Sequence, residues 1–243
     1  MKKLLLAALA TAPTHALAGE VEDALQLLAS HAPAPLPAVT GRDLDKLASG
    51  ASITLVEAER VAGLRIIDAP LAAVWATVHD QAVTGDPAVH EVRLSVSGDG
   101  TELWYGRMSL PMPLADRQWV VRSTIDVELH RKTAGKAWSR SWREVADGLE
   151  LARPVLTAGH LPGVGPDALE NGVTTPINRG GWMLVALSDE RTLVAYHART
   201  DLGGSVPTWL VRDVARGQLG SLLQRVARSA RQPHPQVLPG SGA

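Results

Sequence analysis

Few side chains in this 243-residue chain stand at spacings suited to covalent chemistry. Ser205 lies in Gly203-Gly204-Ser205-Val206-Pro207, which lacks the last glycine of a G-x-S-x-G nucleophile elbow, so the serine reads as a helix N-cap. His90-Glu91 has no second histidine one helical turn on, as a zinc helix requires. Gly163-Val164-Gly165 runs into Pro166, which is wrong for a dinucleotide loop that opens a helix. His79, His130 and His160 read as surface or turn residues, while His197 beside Tyr196 belongs either to a cavity wall or to the opposite strand face. Two charged sets remain. Arg140 and Glu144 flank Trp142, where a buried arginine can meet a ligand carboxylate or phosphate, or where the strand instead turns its tryptophans outward. Asp116 and Arg117 end the stretch Pro111-Met112-Pro113-Leu114-Ala115 and are expected to pair in a rigid connector between strands, with contact to a ligand's polar head as the alternative.

The elements that must position these groups are legible. Residues 203–231 form one long amphipathic helix: Gly203 and Gly204 suit a turn at positive φ, Pro207 fits a first turn, and Val211, Val214, Ala215, Leu219, Leu222, Val226 and Ala230 recur near the 3.6 period. Arg212, Arg216, Arg225, Arg228 and Arg231 lie on its other faces. Such a helix needs a large apolar surface to lie on. Strands are expected at 53–59 and 64–67, with Ala62-Gly63 near their turn. A helix follows, with Asp68 as N-cap, Pro70 in its first turn and Leu71, Val74, Trp75 and Val78 on one face. Further strands read at 89–96, 102–110, 119–129, 138–145, 182–187 and 192–200. In the 119–129 stretch Trp119, Val121, Ser123, Ile125, Val127 and Leu129 alternate with polar residues, which predicts one dry and one wet face. Trp104, Gly106, Met108 and Leu110 share a face of their strand. Residues 152–179, rich in Gly and Pro, read as a flap near a cavity mouth or as an insertion. Gly217 and Gly220, costly inside a helix, suggest close approach of a neighbour.

Residues 1–18 read as a signal peptide: Lys2 and Lys3 precede a short apolar run, and Ala16-Leu17-Ala18 is an A-x-A cleavage site. The expected location is periplasmic or secreted, and the chain has no cysteine to form disulfides or a thiolate metal site. Residues 19–50 form an N-terminal helical segment and linker, 51–231 the main domain, and 232–243 a disordered tail. A net charge of −1 gives no reason to expect nucleic acid. With no Phe, two Tyr and seven Trp, tryptophan has to supply most of the large aromatic surface.

Four stretches then carry a resemblance. They are Asp68-Ala69-Pro70 leading to Val74-Trp75 and Asp80, Trp104-Tyr105-Gly106 with the connector 110–117, Gly180-Gly181-Trp182, and 203–207 with Trp209-Leu210-Val211. In order and spacing the chain resembles the START lipid-transfer domain family, within the helix-grip superfamily of START-like and polyketide-cyclase-like proteins. The resemblance implies an α+β fold: a curved antiparallel sheet wrapped around the long C-terminal helix, with a ligand tunnel between them. It implies binding, with transfer, of a lipid or other hydrophobic small molecule. A cyclase- or hydrolase-type enzyme acting in the same cavity is the alternative. The candidate ligand-binding residues are Trp104, Met108, Trp119, Arg140, Trp142, Trp182, Tyr196, Leu219 and Leu222. No catalytic residue, metal or cofactor is expected. A monomer with transient contact to a membrane surface is.

Overall fold

The computed structural model describes residues 14–32, 35–57, 59–204 and 208–232. The apolar run of the signal peptide, Ser205, Pro207 and the tail beyond Gln232 lie outside them, as do the side chains of residues 208–217, which include Val211, Val214, Ala215, Arg212, Arg216 and Gly217.

Nine strands among the described residues form one sheet: β1 (Ser52–Glu57), β2 (Arg60–Ile67), β3 (Val89–Val96), β4 (Glu102–Met108), β5 (Arg117–Ile125), β6 (Ala137–Glu144), β7 (Val173–Thr174), β8 (Ile177–Ser188) and β9 (Arg191–Asp201). Their order is β1-β2-β9-β8-β6-β5-β4-β3; all pairs on this path are antiparallel, and the short β7 runs parallel to β5. The ends of the path are far apart in pairing, so the sheet is open and curved. Helix α1 (Thr14–His31) and α2 (Gly41–Ala48) precede it, α3 (Leu71–His79) and α4 (Gln81–Thr84) follow β2, α5 (Val127–Lys132) follows β5, α6 (Arg153–Thr157) and α7 (Ala168–Asn171) precede β7, and α8 (Thr208–Ala230) ends the fold.

Inside the curve, α8 and α3 pack on the sheet. Leu219, Leu223, Val226, Ala227 and Ala230 of α8 are buried against Ile67, Val74, Trp75, Trp138, Trp182 and Val194. Gly203 and Gly204 both adopt positive φ (67° and 63°), which lets the chain turn sharply out of β9 before α8.

Several local expectations give way to tertiary packing. Ala62 and Gly63 lie within β2, and the turn falls at residues 58–59. Gly63 stands where α8 crosses: an added Cβ would come within 2.8 Å of the Leu223 Cδ1. Asp68 does not cap α3; it pairs with Arg231 at 3.0 Å, and Pro70 holds the cap position. The strand at 119–129 ends at Ile125, because Asp126 accepts a hydrogen bond from the Leu129 amide and starts α5. Asp116 and Arg117 do not pair with each other. Asp116 pairs with Arg107 at 3.0 Å, while Arg117 donates to the carbonyls of Leu202, Gly203 and Ala115. Gly220 has open space above it rather than a close neighbour.

The outer face is not simply wet. Val21, Ala24 and Leu28 of α1 and Leu47 of α2 bury Leu64, Ile66, Met183, Val185, Leu193 and Ala195. Farther along, Ala152, Leu156, Leu161, Val164, Ala168 and Leu169 bury Tyr105 and Val120. Between the two covers, Arg122 and Thr124 stay exposed, as their alternation predicts. Residues 152–179 therefore form mainly an outer cover of the sheet, built from α6, α7, β7 and the start of β8, rather than a flap; of this stretch only Asn178 lines the inner cavity.

Candidate ligand cavity

A cavity of about 630 Å³ lies between the concave face of the sheet, α3 and α8. Two glycines help to form it. A Cβ on Gly106 would lie 2.4 Å from the Trp119 indole nitrogen, and one on Gly180 would lie 2.4 Å from the Trp142 ring. The bare backbone lets both indoles lie against neighbouring strands, so the space above them stays empty.

The nine residues singled out from the sequence all line this one cavity: Trp104, Met108, Trp119, Arg140, Trp142, Trp182, Tyr196, Leu219 and Leu222. They come from β4, β5, β6, β8, β9 and α8, six elements that only the fold brings together. Trp182 and Tyr196 meet with ring centroids 4.7 Å apart, and Trp142 approaches Tyr196 at 5.9 Å. The Trp142 indole donates to Asn178 at 3.1 Å. In the adjoining core Trp75 stacks on Trp138 at 4.7 Å, and Trp138 on His130 at 3.6 Å. Exposed lining residues mark the mouth, namely Glu59, Gln81, Pro87 and the α8 residues Gln218, Ser221 and Arg225. There Arg225 donates to the Val83 and Gly85 carbonyls.

One stretch of wall is polar. Arg140 donates through Nε to Ser123 at 2.8 Å and through Nη2 to Glu102 at 2.9 Å. Glu102 also accepts from the Trp104 indole at 3.0 Å and pairs with Arg93 at 3.2 Å. Arg140 thus faces the cavity and has a carboxylate partner. Glu144 instead pairs with Arg179. Glu91 lines the cavity and accepts from Gln81 at 3.0 Å; burial pushes its carboxyl above the usual range, and the Arg140 charge opposes that push. Burial pushes the Tyr196 hydroxyl up as well.

His79 is the main miss. It reads as a turn residue in sequence, yet it lines the cavity beside Trp75, its Nδ1 lying 2.8 Å from the Trp75 carbonyl. Burial, assisted by Arg140, lowers its pKa to about 4. The i, i+4 spacing from Trp75 on one helical face was the signal that could have placed it. Glu91 had a signal too, since it pairs with Gly106 in the ladder and so shares that residue's face. His197 sits on the outer face, 4% exposed, with neither ring nitrogen hydrogen-bonded among the described residues.

The comparisons bear on this arrangement. No protein-family model matches the sequence, and none of the curated proteins does. Solved structures do match. A STAR-related lipid transfer protein from Xanthomonas axonopodis is 22% identical, with a TM-score of 0.50 over 74% of this chain and 93% of its own. Human STARD10 is 12% identical at a TM-score of 0.53, covering 80% of each chain. Human StAR-related lipid transfer protein 5 is 14% identical at 0.53, over 90% of this chain and 96% of its own. The chain has a START-like fold.

Proposed function

We propose that this protein binds a lipid or other hydrophobic small molecule in the cavity between sheet and α8, and transfers it. The observation that carries the reading is the hollow itself. A chain of this size normally fills its interior to crystal-like density, yet here about 630 Å³ stays open and is walled by four indoles, Met108, Leu219 and Leu222. Burying an acyl chain there yields about 0.8 kcal/mol per CH₂, so a dozen methylenes outweigh much of the cost of association. The lipid-transfer names of the fold neighbours support the same class.

The sequence pattern of residues 1–18 supports export, and the carrier is proposed to work in the periplasm or outside the cell. Transfer would bring the mouth against a membrane surface. Native mass spectrometry of protein purified from the compartment where it resides tests the reading. A co-purifying apolar molecule is the expected result. A chain that arrives empty and also takes up no lipid from vesicles would overturn it.

A further inference from the structure

Five arginines line up across the outer face of the sheet. Arg122 on β5 stands opposite Arg143 on β6. Arg179 on β8 stands opposite Arg199 on β9, and Arg199 opposite Arg60 on β2. The β6–β8 register, continued one residue past Trp142 and Gly180, sets Arg143 beside Arg179, so the two runs form one row. Neighbouring strands lie about 4.8 Å apart, which makes the row roughly 19 Å long with an arginine at every step. Only two of the five have carboxylate partners: Arg179 pairs with Glu144, and Arg199 with Glu59. Arg60, Arg122 and Arg143 are exposed and form no ion pair among the described residues. Glu57 faces Arg60 at the end of the row, and the Arg122 charge reaches Asp99, in neither case with an ion pair. Like charges directly opposite one another weaken a sheet. Elsewhere the exposed Arg131, Arg153 and Arg231 each meet a carboxylate. The row is thus a concentration of unneutralised charge in a chain whose net charge is −1.

The row lies in a trough. On one side Val120 and Tyr105, in the next row on β5 and β4, are buried beneath the outer cover. On the other side come Thr124 and Ser141, and beyond them Met183, buried under α1. Each cover adds a layer about one helix thick, so a flat bilayer would rest on the covers before its phosphates met the floor. A nucleic acid calls for a broad positive field, which the overall charge does not provide. A single α-helix, about 10 Å across, fits between the covers. Side chains three and four residues apart on its one face rise about 4.5–6 Å, close to the spacing of the arginines. An extended strand repeats a face every 6.6 Å or so and falls out of step. The arginine fork also matches a carboxylate bidentately. We infer that this row is a docking site for a second protein that lays an acidic α-helix across the strands. The inference is independent of what the cavity holds.

The probe is a capped helical peptide of Ala and Glu whose Glu residues recur alternately at three and four positions, labelled and titrated with the full chain at low salt by fluorescence anisotropy. Its control carries Gln at every Glu position. The acidic peptide should bind and the control should not, and raising the salt tenfold should weaken the complex. Arg122→Gln with Arg143→Gln should lower affinity about tenfold while leaving the melting temperature unchanged or higher, since it relieves a like-charge contact. Arg131→Gln with Arg153→Gln, which removes as much charge elsewhere, should bind like the parent. Equal weakening by the two double variants, or no binding of the acidic peptide, overturns the inference. So does tighter binding to phosphatidylglycerol vesicles or to a DNA duplex that the Arg122–Arg143 variant abolishes, because the row would then serve a different partner. Dodecanoate uptake by the cavity, read by tryptophan fluorescence as a lipid-probe titration, should be the same in parent and variant; a shared loss of peptide and dodecanoate binding would trace the effect to the fold and overturn the inference as well.

Discussion

Arg140 on β6 reaches across β5 to Glu102 on β4, and the two meet at 2.9 Å in the wall of an otherwise apolar cavity. Ser123 on the intervening strand takes the Nε hydrogen. Taking these charges out of water is costly unless they stay paired. Arg140→Met should therefore destabilise the fold by about 3 kcal/mol, because Glu102 keeps only its indole donor and the more exposed Arg93. The double variant Arg140→Met with Glu102→Met should cost less than Arg140→Met alone. Urea denaturation of the four proteins in the cycle reads the coupling, and additive losses would contradict it.

Ala198 on β9 lines the cavity. Ala198→Trp should fill the hollow from within, abolish the fluorescence response to lipid probes and leave thermal stability unchanged or higher. A solidly packed site would instead lose about 1–3 kcal/mol from the same enlargement. The melting temperature and the titration together decide between the two.

His79 and His197 are both held neutral by burial, each with a pKa lowered to about 4. In the unfolded chain each titrates near 6.5. The folded state resists protonation, so these two groups support stability fully above about pH 6.5 and cease to do so as the pH falls toward 4. The loss is on the order of 2–3 kcal/mol per histidine. Glu91 works in the opposite sense, since its raised pKa returns stability as it takes up a proton. Urea midpoints between pH 7.5 and 4.5 should fall, and His197→Leu should flatten part of the decline.

Among the described side chains of α1, Val21, Ala24 and Leu28 form the buried face. All lie beyond the expected cleavage point after Ala18. N-terminal sequencing of the exported protein should begin at Gly19, and a chain starting there should be as stable as the full chain. A chain starting at Ala51 should not, because Leu64, Ile66, Met183 and Leu193 would lose their cover. Exposing that many core side chains costs more than a typical domain's whole margin.

Legibility followed the range of the interactions. The strands with period-two alternation and the long C-terminal helix were readable because backbone geometry and burial repeat along the chain. Trp104, Met108 and Trp119 could be grouped for the same reason. Gly63 was misread as turn chemistry because its cause, Leu223 on α8, lies 160 residues away in sequence. Asp68 looked like a cap, yet its partner is Arg231. The outer covers were hidden because a sheet whose second face is polar in part and apolar in part reads as one-sided.

Gln118 shows how the outer cover is attached and gives a way to separate it from the cavity. It is fully buried on β5, accepts from the Tyr105 hydroxyl at 3.1 Å, and donates to the carbonyls of Leu169 at 3.0 Å and Gly172 at 3.1 Å. Gln118→Leu would strand a hydroxyl and two carbonyls, a loss of about 2–4 kcal/mol. Amide hydrogen exchange should speed up through 152–174, where backbone bonds depend on that docking. Lipid-probe affinity should stay within about twofold, since the side chain lies on the opposite face of the sheet from Trp119 and the segment it anchors does not touch the cavity. A collapse of affinity in a folded Gln118→Leu protein would restore the flap reading of this segment and show that the outer cover moves with the mouth.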